Sequence, residues 1–147
     1  MAKSVERRDG DQAQVLIVED EASIAAMLAA MLELEGYSSH IVHTGRAALD
    51  YLCPAWDGAD GADGATRAKA HRVPGLLLLD LHLGDMDSLD LVRRLKKLGY
   101  RVPPVIILSA RRQEAVAAAA SELGAADYFV KPADMDLLLT SIEKVLS

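Results

Sequence analysis

The chain has 147 residues, of which 51% are apolar and only 4% aromatic, enough for one domain with an aliphatic core. A formal net charge of −6 argues against a nucleic-acid-binding surface and favours solubility. The single cysteine, Cys53, excludes an internal disulfide and fits a reducing cytoplasm, and no apolar run approaches the roughly 20 residues of a membrane helix.

Residues 1–14 are polar and mixed in charge, without the apolar stretch of a signal peptide. They are expected to form a disordered arm, with the domain proper over 15–147. Val15 to Val18 reads as a buried strand, short, aliphatic and followed by Glu19-Asp20-Glu21. Glu21 to Leu34 reads as a helix, with Ile24, Met27, Leu28, Met31 and Leu32 at helical spacing and Gly36 as its stop. Tyr37 to Val42 suits a strand near a sheet edge, because Ser38, Ser39 and His40 interrupt it. A short helix is expected over Ala47 to Leu52.

The pattern then breaks. Asp57-Gly58-Ala59-Asp60-Gly61-Ala62-Asp63-Gly64-Ala65 is not a composition a core helix can use. Residues 53–73 are expected to be a flexible surface loop insertion. The acidic repeat lacks the spaced ligands and the terminal bidentate glutamate of a calcium loop.

Leu76 to Leu79 shows no alternation and reads as a strand buried on both faces, ending at Asp80. Ser88 is expected to cap a helix from Leu89 to Leu98, closed by Gly99. Val105 to Leu108 is a further buried strand, ending in Ser109. Gln113 to Leu123 is an alanine-rich helix stopped by Gly124. Tyr128 to Val130 is a short strand before Lys131-Pro132, and Asp134 caps a last helix to Leu146.

Strand and helix alternate five times, which predicts an α/β fold with a parallel sheet and helices on both faces. Five strands suggest the flavodoxin-like, doubly wound order 2-1-3-4-5. Right-handed crossovers bring the C-terminal strand ends to one edge. Glu19, Asp20, Asp80, Ser109 and Lys131 then converge where open parallel sheets bind ligands.

Acids, a hydroxyl and a lysine at strand ends are the parts of a phosphoryl-transfer site. Two carboxylates about 4 Å apart repel by roughly 4 kcal/mol at an effective dielectric near 20, so three clustered acids call for a cation. Oxygen ligands at a partly open site favour Mg2+. Glu19, Asp20 and Asp80 would supply side-chain ligands, and a backbone carbonyl near His82 another. The plainer reading, helix-capping or solvated acids, fits Glu19 and Asp20 alone better than it fits the trio with Asp80. Lys131 and the metal could neutralise phosphoryl oxygens, while Ser109 and the amide of Ala110 donate to the same group. Asp80 is then free to act as nucleophile and form an acyl phosphate. Lys131 also reads simply as a surface lysine after a strand.

These residues resemble the receiver domain of two-component response regulators, the CheY-like family. The resemblance runs from Val15 to Leu146. It is carried by Glu19-Asp20, Asp80-Leu81-His82-Leu83, Met86-Asp87, Ser109-Ala110 and Tyr128-Phe129-Val130-Lys131-Pro132. It implies that Asp80 accepts a phosphoryl group from a sensor histidine kinase or a histidine phosphotransfer protein. It further implies that Asp20 binds Mg2+ directly and Glu19 directly or through water. Ser109 falls on the family's hydroxyl position, Lys131 on its lysine and Tyr128 on its switch aromatic. Tyr128 could equally be an ordinary half-buried strand tyrosine. Phosphorylation would rearrange the surface of the fourth helix, fifth strand and fifth helix. His82 and Arg111, two residues beyond Asp80 and Ser109, fall on positions that tune acyl-phosphate lifetime.

This chain has Gly84 where the family usually has proline, and Ser88 where it often has glycine. Both lie in the loop after Asp80, where rigidity and metal geometry are set. The 53–73 loop is longer than is typical and is expected at the sheet end opposite the site. His40, His43 and His71 have no carboxylate or cysteine partners at ligand spacing and read as surface residues. Arg93, Arg94, Lys96 and Lys97 read as a solvated face in preference to a partner site.

Such a receiver is not an enzyme beyond assisting its own phosphorylation and dephosphorylation. Its expected partners are the phosphodonor and a downstream output protein or a C-terminal effector domain, with a phosphorylation-dependent dimer through the same switch surface. Neither nucleic acid nor membrane is expected to bind directly. The chain ends one helix after Lys131, as a stand-alone receiver or a fragment of a longer regulator or hybrid kinase would. One competing reading is a Mg2+-dependent phosphatase of the haloacid-dehalogenase type. It would usually carry a second aspartate where His82 stands, with its nucleophile on the first strand. A decayed receiver acting only as an interaction module would not need Asp20, Asp80, Ser109 and Lys131 together. A nucleotide-binding flavodoxin-like protein would place a glycine-rich loop after Val18.

Overall fold

Short aliphatic runs bury best when paired on both edges, and the chain uses three of them as adjacent central strands. A computed structural model describes residues 14–53 and 73–147. In chain order the elements are β1 (Val15–Val18), α1 (Ala22–Leu34), β2 (Ser39–Val42), α2 (Gly45–Leu52) and β3 (Leu76–Asp80). They continue with α3 (Ser88–Lys97), β4 (Val105–Ser109), α4 (Gln113–Leu123), β5 (Asp127–Val130) and α5 (Met135–Leu146). The five strands form one sheet in the order β2-β1-β3-β4-β5, and every neighbouring pair is parallel. The flavodoxin-like expectation is therefore met.

Two aliphatic layers cover the sheet. Leu16, Val18, Leu77, Leu79, Val105 and Ile107 point into the layer shared with α2, α3 and α4. Val15, Ile17, Leu76, Leu78, Ile106 and Leu108 point into the layer under α1 and α5. Side chains alternate along each strand, so a buried strand must be apolar at every position. That is why β1, β3 and β4 read as continuous aliphatic runs.

Beside one-residue shifts at the ends of α1, α3 and β5, element ends depart from the sequence expectation with a visible cause in three places. β2 begins at Ser39, two residues later than expected, because the Tyr37 amide turns back to the Leu32 carbonyl. Ser38 is meanwhile tied to Gln14 by reciprocal side-chain bonds. α2 begins at Gly45 because the Thr44 hydroxyl accepts from the Ala47 amide at 3.0 Å. The third departure corrects a capping assignment. Ser88 is the first residue of α3 and not its cap, Asp87 is the N-cap residue, and no side chain caps that end. The buried Ser88 hydroxyl instead donates to the Asp80 carbonyl.

Gly124 closes α4 with φ 71°, a left-handed conformation that costs an L side chain about 1–2 kcal/mol. Among the described residues, no helix is long and apolar enough to cross a membrane. Residues 1–13 of the expected arm, and residues 54–72 with the acidic repeat and His71, lie outside the described residues. Cys53, at the end of α2, is buried.

Candidate functional site

Register brings the acids together. Val18 pairs with Leu79 across β1 and β3, so Glu19 and Asp80 each follow a paired position on neighbouring strands. On the other side Ser109 pairs with Val130, and the Lys131 amide donates to the Ser109 carbonyl at 2.8 Å. Four strand ends thus place Glu19, Asp80, Ser109 and Lys131 on one edge, with Asp20 beside them.

Glu19 is 1% exposed, Asp80 6% and Ser109 1%, whereas Asp20 is exposed. One carboxylate oxygen from each of Glu19, Asp20 and Asp80 lies within 4.8 Å of the others. The Lys131 ammonium sits among them, with Nζ 3.0 Å from Glu19 Oε1, 3.1 Å from Oε2 and 3.3 Å from Asp80 Oδ2. One ammonium cannot balance three carboxylates. Burial pushes the Glu19 carboxyl above its ordinary range, and the neighbouring Asp80 adds to this, against the hydrogen bond from Lys131. Burial opposes the charge on Lys131 too, but its bond to Glu19 and the field of Asp80 outweigh that and hold its pKa above the ordinary lysine value.

This donor set fits a hard divalent cation. The ligands are oxygens, two of the carboxylates are buried, and Asp20 leaves the site open to water, as Mg2+ prefers. Glu19 Oε1 is buried and accepts no well-aligned hydrogen bond from the protein, although it faces the Lys131 ammonium. It is an acceptor with capacity left for a cation.

The remaining predicted residues fall as follows. The His82 side chain is exposed, and its amide donates to Asp80 Oδ1 at 3.2 Å. The Ser109 hydroxyl accepts from the Arg111 amide at 3.1 Å, with exposed Ala110 between them. Arg111 Nη2 lies 2.9 Å from His82 Nδ1, so these two side chains meet. Tyr128 pairs with Ile107, three positions before Lys131, and packs half-buried against the α2–α4 core layer. The Lys131–Pro132 peptide is cis. The basic residues Arg93, Arg94, Lys96 and Lys97 are exposed, as expected, but Arg93 also reaches Glu122 of α4 at 2.6 Å.

Three residues near the site were missed by the sequence reading. His43 is exposed, as expected, yet its Nδ1 lies 2.9 Å from the Glu19 carbonyl and can donate to it. The signal was available, since His43 follows β2 and parallel strands share a C-terminal edge. Ser88 was assigned to a cap. Asp85 had no signal at all: its carboxylate accepts from the amides of Gly45 and Arg46 at 2.8 and 2.9 Å.

Comparisons with known proteins point the same way. A family model described as response regulator receiver domain matches residues 15–143. An uncharacterized transcriptional regulatory protein of Bacillus subtilis, YkoG, is 35% identical over 136 residues, covering 92% of this chain and 52% of that protein. The alkaline phosphatase synthesis transcriptional regulatory protein SphR of Synechococcus elongatus is 35% identical over 119 residues, covering 81% of this chain and 43% of that protein. The chain therefore spans about half the length of these curated relatives. Among solved structures, the signal receiver domain of a Luxo repressor protein from Vibrio parahaemolyticus superposes with a TM-score of 0.70. It shares 30% identity and covers 92% of this chain and 90% of its own.

Proposed function

The chain belongs to the response regulator receiver domain family of two-component signalling, and we propose that Asp80 is the residue that accepts the phosphoryl group. The phosphodonor is a sensor histidine kinase or a histidine phosphotransfer protein. A carboxylate oxygen of Asp80 attacks phosphorus, and a P–O bond forms as the P–N bond of the donor phosphohistidine breaks. The imidazole leaves and takes up a proton. Lys131 Nζ, already 3.3 Å from Asp80 Oδ2, exchanges part of that contact for the incoming phosphoryl oxygens. The Ser109 hydroxyl and the Ala110 amide donate to the same group.

Glu19, Asp20, Asp80 and the His82 carbonyl would hold Mg2+. When bound, it supplies the positive charge that three carboxylates and a phosphoryl group require. No further catalysis is assigned to the chain. It assists only formation and hydrolysis of its own acyl phosphate.

The output follows from Ser109. Its hydroxyl now accepts from the Arg111 amide. Turning toward the phosphoryl group releases that contact and lets Tyr128 move inward, biasing the surface of α4, β5 and α5. That surface docks a downstream output protein or an effector domain, or pairs with a second copy. The relatives' descriptions as transcriptional regulators support an effector of that kind. Neither nucleic acid nor membrane is a direct partner in this reading. A cytoplasmic location goes with it, since histidine phosphorylation draws on ATP.

The dehalogenase-type alternative is not favoured. His82 stands where its second aspartate would, and Asp80 ends β3 rather than β1.

The observation that carries the proposal is the buried Asp80 carboxylate, clustered with two acids and 3.3 Å from a lysine ammonium. Incubation with Mg2+ and acetyl phosphate, followed by intact-mass measurement, tests it. One phosphoryl adduct is expected in the wild type and none in Asp80→Asn. No adduct, or an equal one in the variant, would overturn the assignment.

A further inference from the structure

The loop from Leu81 to Asp87 leaves Asp80 directly and carries His82. It has Gly84 at a position where a proline would stiffen it, yet it is tied at both ends. At its base the Ser88 amide donates to the Leu81 carbonyl, the Ser88 hydroxyl donates to the Asp80 carbonyl, and His82 bridges Asp87 across the loop. At its tip Asp85 crosses to another helix. Oδ1 accepts from the Gly45 amide at 2.8 Å and Oδ2 from the Arg46 amide at 2.9 Å.

Gly45 and Arg46 are the first residues of α2, and amides there have no partner within their own helix. Thr44 already serves the Ala47 amide of that turn. The helix start is therefore capped twice, once from its own chain neighbourhood and once from a loop 39 residues away. Thr44 orders only α2. Asp85 orders α2 and also pins the loop that follows Asp80. Neighbouring packing closes the contact, because a Cβ on Gly45 would stand 2.4 Å from Met86 Cγ and 2.6 Å from its Sδ. What burial Asp85 has pushes its carboxyl up, but the amides of Gly45, Arg46, Asp85 and Met86 outweigh this and hold it below the ordinary aspartate value. It is an ionised cap.

We infer that Asp85 is a positioning residue for the cation end of the site. By anchoring the loop tip on α2, it fixes the backbone of His82 and the carboxylate of Asp80 relative to Glu19 and Asp20. The His82 amide is the link, since it donates to Asp80 Oδ1 at 3.2 Å. The inference rests on the reading that this site takes Mg2+.

The test is calorimetric titration of the full chain with Mg2+, with thermal melting of each metal-free protein alongside. Asp85→Ala should weaken Mg2+ binding roughly two- to thirty-fold, the range a lost cap implies, and should lower the melting temperature. Asp85→Asn, which keeps a carbonyl acceptor, should fall between and serves if the alanine variant does not fold. Thr44→Ala should lower the melting temperature about as much as Asp85→Ala does and leave Mg2+ affinity within about twofold, because it loosens α2 alone. Unchanged affinity in the Asp85 variants would overturn the inference. So would an equal loss in Thr44→Ala, which would make Asp85 a stability cap only. A wild-type protein that bound no Mg2+ would overturn the functional reading itself, and the inference with it.

Discussion

Arg111 Nη2 lies 2.9 Å from Nδ1 and 3.1 Å from Nε2 of the His82 ring, so a side chain two residues past Ser109 rests on one two residues past Asp80. A ring nitrogen that carries no proton can accept from the guanidinium, so the two exposed side chains are tied to each other just past the strand ends that carry Asp80 and Ser109. Arg111→Ala and His82→Ala should each speed loss of the phosphoryl adduct by threefold or more, by admitting water. In the double variant the effects should be less than additive, since the residues touch. The decay of the adduct, followed by intact mass, checks this. Independent effects would show that the contact does not set the lifetime.

Lys131 is the cation that the structure places between Glu19 and Asp80. Replacing it with methionine leaves two buried carboxylates facing each other. Metal-free Lys131→Met should lose about 1–3 kcal/mol in urea denaturation, below the full cost of breaking a deeply buried pair because the side chain is 15% exposed. Saturating Mg2+ should narrow the difference by restoring positive charge. Equal metal-free stability would show that the ion pairs contribute nothing.

The raised pKa of Glu19 would make the proposed cation binding proton-linked. Burial is the main cause, with Asp80 adding and Lys131 opposing. A folded-state pKa above the unfolded one contributes stability that is full below the unfolded value and is lost as pH rises through the folded one. The metal-free fold therefore weakens as Glu19 ionises, and Mg2+ must displace a proton at a pH where ordinary glutamate has none. Affinity should start to fall on acidification while the pH is still above 4.5, the ordinary glutamate value. Titrations across pH would read this, and a fall beginning only below that value would contradict it. Lys131 works at the other end of the scale: its ion-pair stability is full below 10.5 and is lost as pH rises through its raised folded value.

Ser88→Ala isolates one hydrogen bond. The buried hydroxyl donates to the Asp80 carbonyl, and removing it should cost about 1–2 kcal/mol of unfolding free energy, read from the shift in denaturant midpoint. Ser88→Gly should cost about 0.5–1 kcal/mol more, from backbone entropy in the first turn of α3. An unperturbed midpoint in both variants would show that solvent or a shifted neighbour replaces the bond.

Much of the fold was legible because its signals are local. Val15–Val18, Leu76–Leu79 and Val105–Leu108 have no polar residue to turn outward, so each had to lie between helical layers. Gly36, Gly99 and Gly124 stand at helix ends with positive φ, as glycine there predicts. The β2 boundary was less legible. The Tyr37 amide had two partners available, a neighbouring strand or the end of α1, and the helix end took it.

Alternation points to a parallel sheet, and the parallel direction of its strands with their register collects Glu19, Asp80, Ser109 and Lys131 on one edge. The sequence by itself therefore determined the sheet, its two aliphatic faces and which strand-end residues come together. Tertiary structure alone decided which loop groups hold that site in shape. Asp85 could have capped its own helix, Ser88 could have capped α3, and His43 and Arg111 could have stayed in solvent. Each instead found a partner between 8 and 40 residues away. A helix or strand is set by periodicity within one turn or pleat. A side chain on a loop is set by whichever unsatisfied donor or acceptor the packed elements bring within about 3 Å.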